Sequence, residues 1–302
     1  VAAAPNMAAV HAPNLPFRWD VVTPDQIGRL LDGVEPPPLW YADDLLACTG
    51  RVIARSGDAD LIFVGRSLDS MYDLLGGALA GTSWRDRTHR LPLSFNAGGR
   101  WDGRRFRPRR ISGPQLAQAR LILDQLGLSP HALARRARPV AFVDVVHGGD
   151  TFGELYALLR SWIEREREPW GVIRQKLRFV GVTSRRATSP KTWRWQQHAD
   201  WTRELPARSV RNVSLDAWVW SYLGDSQVKL TRTFQPPHWL AQAPGPQRDE
   251  STRLALAEAF ALVELGRSGR ARRALVRAMT GEPAMAQPWS RALIGQLSTG
   301  SG

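Results

Sequence analysis

The chain has 302 residues, 43% of them hydrophobic, which is enough for one large domain or two small ones with a core. Its formal charge is +13, 38 of its 41 basic residues are arginine, and its one cysteine is Cys48. An internal disulfide is therefore excluded, and the lack of any run of ~18–20 apolar residues argues against a membrane span. A reducing, cytoplasmic setting is the expectation, and Val1-Ala-Ala-Ala lacks the basic start of a signal peptide.

The basic excess suggests nucleic acid, phosphorylated small molecules or acidic partners. GC-rich coding bias accounts for surface arginine equally well. Position is more informative than the sum. Nine arginines lie between Trp84 and Arg110, opposed only by Asp86 and Asp102, so this stretch carries +7.

In chain order, residues 1–38 read as a Pro- and Ala-rich lead-in, with Thr23-Pro24-Asp25 opening a short helix through Leu31. Residues 40–55 read as a helix. Asp60 to Val64 is a short apolar run ending at Gly65-Arg66-Ser67, which suits a buried strand, and Leu68 to Ala80 follows as a helix. His89 to Phe95 reads as a second strand, and the arginine-rich stretch as a loop. Ser112-Gly113-Pro114 opens another helix. Pro139 to Val146 is a third strand, Phe152 to Glu168 an amphipathic helix, Leu177 to Thr183 a fourth strand and Val210 to Leu215 a fifth. Glu250 to Thr280 reads as a helix pair broken at Gly266-Arg267-Ser268-Gly269. Strands alternating with helices predict an α/β fold with a mainly parallel sheet flanked by helices. The expected organisation is a lead-in and helix over 1–57, a core over 58–240 and an added helical C-terminal segment over 241–302.

Two strand-to-helix junctions carry chemistry. At Val143-Asp144-Val145-Val146-His147-Gly148-Gly149-Asp150-Thr151, a buried strand runs into two glycines and a threonine, then a helix. Glycines let main-chain N–H groups approach an anion, and the helix adds the positive end of its dipole. Thr151 is placed to cap the helix or to bond a phosphate. In open parallel sheets, ligands bind at the carboxyl ends of the strands, where this loop lies. The second junction is Gly65-Arg66-Ser67, where an arginine in a tight turn suits a diphosphate.

The stretch from Val143 to Thr151 resembles the signature of the type I phosphoribosyltransferases: an apolar strand, two acids, two apolar residues, a variable residue, Thr-Gly-X-Thr and a helix. Asp144 takes the second acidic position, Val145 and Val146 the apolar pair, His147 the variable position, and Gly148, Gly149, Asp150 and Thr151 the phosphate loop. Val143 replaces the first acid and Gly148 the first threonine. The resemblance implies a phosphoribosyltransferase-like fold. It also implies phosphoribosyl pyrophosphate or a ribose 5-phosphate derivative as ligand, with Mg²⁺ as cofactor. Asp144 would then hold the ribose hydroxyls directly or through the metal. Gly65, Arg66 and Ser67 would take the family's pyrophosphate loop, and the arginine stretch, including Arg104 and Arg105, its mobile catalytic loop. Residues 213–225 loosely resemble the base-recognition segment of the purine-salvage members, with Trp218 as the stacking residue and Asp216 nearby. The resemblance spans roughly residues 58–225.

Plainer readings stand beside these. Asp144 could cap a turn, His147 could be an ordinary loop residue, and Trp193, Trp195 and Trp201 suit a core as well as a stacking surface. Trp218 and Trp220 alternate like strand residues. No Gly-X-Ser-X-Gly elbow, zinc-spaced Cys/His cluster, Walker A or Gly-X-Gly-X-X-Gly loop is present. The two expectations are a phosphoribosyl-transferring enzyme and a non-catalytic nucleotide- or nucleic-acid-binding protein on the same fold.

Overall fold

The computed structural model describes residues 15–102, 105–188, 194–242 and 245–299, excepting the side chains at 99–101, 105–108 and 187–188. The chain runs α1 (Ala42–Ser56), β1 (Asp60–Val64), α2 (Asp69–Ala78), β2 (Thr88–Leu91), β3 (Gly99–Asp102), β4 (Arg105–Pro108), α3 (Gly113–Gln125), α4 (Pro130–Arg135) and β5 (Val140–Val145). It continues through α5 (Asp150–Glu166), α6 (Trp170–Ile173), β6 (Leu177–Ser184), β7 (Val210–Leu215), α7 (Ala217–Ser221) and α8 (Pro236–Trp239). The helices α9 (Glu250–Arg267), α10 (Gly269–Thr280) and α11 (Pro288–Thr299) complete it.

Five strands form one parallel sheet in the order β2-β1-β5-β6-β7. The central strands are continuous apolar runs because helices cover both faces. Their side chains alternate between two cores. Leu61, Phe63, Ala141, Val143, Val180 and Val182 face α1, α2 and the C-terminal helices. Ile62, Val64, Val140, Phe142, Leu177 and Phe179 face α3 and α5. The chain leaves β1 for β2 on one side and returns to β5 on the other. The topological switch, where α/β sheets open a crevice, therefore lies between β1 and β5.

The C-terminal helices share the first core with the sheet. Helix α2 crosses α9 with glycine on both sides. A Cβ on Gly77 would sit 2.0 Å from the Val263 carbonyl oxygen, and one on Gly266 2.1 Å from that of Leu74. Buried polar groups tie the same helices together. Glu258 accepts from Tyr41, from Tyr222 at 3.2 Å and from Gln227 Nε2 at 2.7 Å. Asp69 accepts twice from Arg90, and Asp73 twice from Arg18.

Several sequence expectations need correction. Thr23 makes no cap bond, its hydroxyl turning instead to Asp20, so the lead-in helix is one turn, Pro24–Gln26. The second strand stops at Leu91 because Pro92 has no N–H for the ladder, and Leu93 makes only a single bridge to Phe234. The arginine-rich stretch holds an antiparallel hairpin, β3–β4, not a plain loop. Trp218 and Trp220 lie on a helical turn, not a strand, because Asp216 caps α7 through the N–H groups of Trp218 and Val219. Helix α11 falls within the helical segment expected over 241–302 but lies beyond the helix pair read to Thr280. Among the described residues, no helix is long and apolar enough to cross a membrane.

Candidate phosphate-binding loop

Strand β5 ends at Val145, and the chain reaches Gly149 in the left-handed conformation, φ +88°, before α5 begins at Asp150. Only glycine serves at 149. Its φ is unfavourable to side chains, and a Cβ there would lie 2.4 Å from Trp195 Cε3. Trp195 is itself fixed, donating its indole N–H to Asn212 Oδ1 at 2.8 Å and packing on Phe152. The turn is thus pressed into shape from behind while His147 to Thr151 stay wholly or partly exposed. Gly149, not Thr151, is the N-cap. Thr151 is the second residue of the helix, and its hydroxyl makes no cap bond.

The loop divides two cavities. One, of about 890 Å³, lies between residues 95–98, Arg109–Ile111 and the first turns of α5, including Asp150, Thr151 and Glu154. The other, of about 720 Å³, lies at the carboxyl ends of β5, β6 and β7. His147, Trp195, Trp220, Arg186, Arg194 and Asn212 contribute to its walls. Trp220 is held by a 2.9 Å bond from its indole N–H to the Val182 carbonyl, with its ring 6.2 Å from that of His147. Thr183 also lines this cavity, and its buried hydroxyl has no hydrogen-bond partner among the described residues. Two fixed indoles, arginines and an unanswered hydroxyl suit a flat polar ligand bearing an anionic group.

Other sequence-chosen residues lie apart. Asp144 is 6% exposed, lines neither cavity, and accepts from the Val145 N–H at 2.7 Å. Burial pushes its carboxyl up to about 8, tempered by that N–H and by the charge of Lys229. Its contribution to a Mg²⁺ site is one buried carboxylate, and among the described residues no group of three or more metal-binding side chains forms. Octahedral Mg²⁺ usually takes one or two carboxylates plus substrate phosphates, so Asp144 would supply one protein ligand to such an ion.

The Gly65-Arg66-Ser67 turn does precede a helix, with Gly65 at φ +68°. It is roofed by the segment after α7: Arg66 donates to the Thr231 carbonyl at 3.1 Å, and Lys229 to that of Ser67 at 2.9 Å. Arg66 lines a separate small cavity. Asp150 turns its carboxylate over the loop, Oδ2 lying 3.2 Å from a Cβ built on Gly148, where it competes with any incoming anion. Trp218 is 74% exposed and outside the cavity; Trp220, one helical half-turn on, is the indole that lines it. Asp216 is occupied as the α7 cap, and the N–H groups of Trp218 and Val219 hold its carboxyl below the usual range. Arg104 and Trp193 lie outside the described residues, and of Arg105 only the backbone in β4 is described. Trp195 and Trp201 are core residues, Trp201 stacking on Tyr156 at 4.8 Å.

Sequence reasoning missed Trp220, Asn212 and Thr183. The available signal was Thr183 and Ser184 late in β6, a strand otherwise buried on both faces, followed by the polar Asn212 and Ser214 of the neighbouring edge strand β7. No family model matches the chain, and neither a curated protein nor a solved structure matches it.

Proposed function

We propose that the chain is a phosphoribosyltransferase-like protein that binds phosphoribosyl pyrophosphate or a ribose 5-phosphate derivative. The 5′-phosphate would rest on the main-chain N–H groups of Gly148 to Thr151, and a nucleobase-like acceptor would lie in the cavity lined by Trp220, His147 and Asn212. The observation that supports this most is the glycine turn leading directly into α5, beside a cavity walled by two fixed indoles, with Asp150 as the group an incoming phosphate would displace. Transfer would proceed by positioning and leaving-group stabilisation, and Mg²⁺ would arrive with the diphosphate of the substrate.

Calorimetry with phosphoribosyl pyrophosphate, ribose 5-phosphate and a nucleoside monophosphate, with and without Mg²⁺, tests the reading. Thr151→Ala should weaken the phosphate-bearing ligands about tenfold, the loss of one hydrogen bond to a charged group. Undiminished affinity in that variant removes the loop from the site.

A second reading, a binder without turnover, has its own support. Val143 fills the first acidic position with a core side chain, Asp144 is buried, and the Arg66–Thr231 and Lys229–Ser67 bonds occupy the turn that would hold diphosphate. Ligand binding without diphosphate release across a panel of bases would select it. Nucleic-acid affinity falling steeply with salt would extend it to a polyanion.

A further inference from the structure

We propose a second anion site, separate from the 147–151 loop, that takes one phosphate-sized tetrahedral oxyanion between Arg66, Lys229 and Arg232. These three cations line a cavity of about 140 Å³ closed by Trp19 and by the start of α9 at Asp249. Nucleotide-sized pockets run to ~300–1,000 Å³, so the space suits a phosphate or sulfate group and not a nucleoside.

The charges there are answered only at a distance, by Asp69 for Arg66 and by Asp69, Glu258 and Asp73 for Lys229, with no ion pair of their own among the described residues. Among the described residues Arg66 makes one bond, to the Thr231 carbonyl, and Arg232 one bond, to Gln247 at 3.0 Å; neither is in an ion pair. Lys229 uses two of its three N–H groups, on the Ser67 carbonyl and on Gln227 Oε1. The nearby carboxylate of Asp69 is committed to Arg90 and Thr231. Asp249, the acid in the wall, is committed to the Thr252 N–H and the Ser251 hydroxyl. Trp19, 6% exposed, has an indole N–H with no partner. Burial lowers the Lys229 ammonium to about 8, against the raising charges of Asp69, Glu258 and Asp73, and the positive charge of Arg66 adds to the lowering. A largely buried ammonium, a part-buried guanidinium and an exposed one lining a single cavity, beside an unanswered N–H, are the donor set of an anion site.

The test uses the full chain. Inorganic phosphate, against chloride at matched ionic strength, should raise the thermal midpoint, because a ligand that binds only the folded state stabilises it. Arg232 is exposed, so Arg232→Gln should fold normally and bind phosphate about tenfold more weakly, as should Arg66→Met. Thr151→Ala should leave this response unchanged. Sulfate giving the same shift supports a bare oxyanion. A shift from ribose 5-phosphate that survives Thr151→Ala and is lost in Arg232→Gln supports the same site receiving the end of a phosphomonoester. No shift with phosphate overturns the proposal. So does a shift kept in both arginine variants, or one abolished by Thr151→Ala.

Discussion

Asp144 shows how one residue can satisfy a motif and still be held away from the chemistry that the motif suggests. Its parity along β5 places it with Val140 and Phe142 on the α3–α5 side of the sheet, where it is buried. Desolvation disfavours the carboxylate, so its folded value rises to about 8 against about 4 in an unfolded chain. Between those two pH values the folded protein keeps a proton that the unfolded chain has lost. Its contribution to stability is therefore full below about pH 4 and declines as pH climbs toward 8. Urea midpoints measured across that range should fall less in Asp144→Asn than in the parent. Equal slopes would show the carboxyl to be solvated or paired. A carboxyl that stays neutral near pH 7 also serves poorly as a metal or ribose ligand until something opens the turn above it, which is why binding and turnover are separate questions for this chain.

The elements record how much a sequence can disclose. Strands β1, β5 and β6 were legible because burial on both faces demands largely apolar runs, whereas β7, at the sheet edge, carries Arg211, Asn212 and Ser214 and gave a weaker signal. Helices α1, α2, α3 and α5 were legible from their periodic apolar faces. The hairpin β3–β4 was missed although Trp101 and Phe106 alternate with charged neighbours, because its arginines read as a loop, and α11 was missed although Trp289, Leu293 and Leu297 recur at helical spacing. The 147–151 turn could be read from its glycines, but not the indole that closes its cavity. Trp218 and Trp220 differ by two positions, and only the cap at Asp216 decides which one turns inward. Nor could local sequence show that residues 227–231 fold back over Arg66. The α2–α9 crossing is equally non-local. Gly77 and Gly266 bring two helix backbones into direct contact, so a methyl group at Gly266 meets the carbonyl of Leu74 at 2.1 Å, backbone that cannot swing aside. Gly266→Ala should therefore destabilise by about 2–3 kcal/mol, despite alanine's better helix propensity. A urea melt that shows no loss would mean that the helices separate freely.

At the scale of the whole molecule, the sheet gathers its loops at one end while helices close its sides. The C-terminal helices belong to that closure. Helix α11 buries Leu293 and Leu297, stacks Trp289 on Trp84 at 5.5 Å, and places Gln296 where Ser83 donates to it through both its backbone N–H and its hydroxyl. These contacts fall on the α1–α2 side, in the core that also contains Val143, whereas Phe152 and Trp195, behind the glycine turn, belong to the other core. Ending the chain at Gln287 should thus remove about 3–6 kcal/mol, the transfer term for two buried leucines, before any relaxation. It should do so in one cooperative unfolding transition shifted to lower temperature, since the lost helix shares its core with the sheet. Affinity for a phosphate-bearing ligand at 147–151 should persist in whatever fraction stays folded. A separate, early transition with the main one unmoved would instead make the last helix an independent appendage. Loss of ligand affinity at temperatures where the truncated chain is still folded would mean that the sheet transmits packing on one face to the turn on the other.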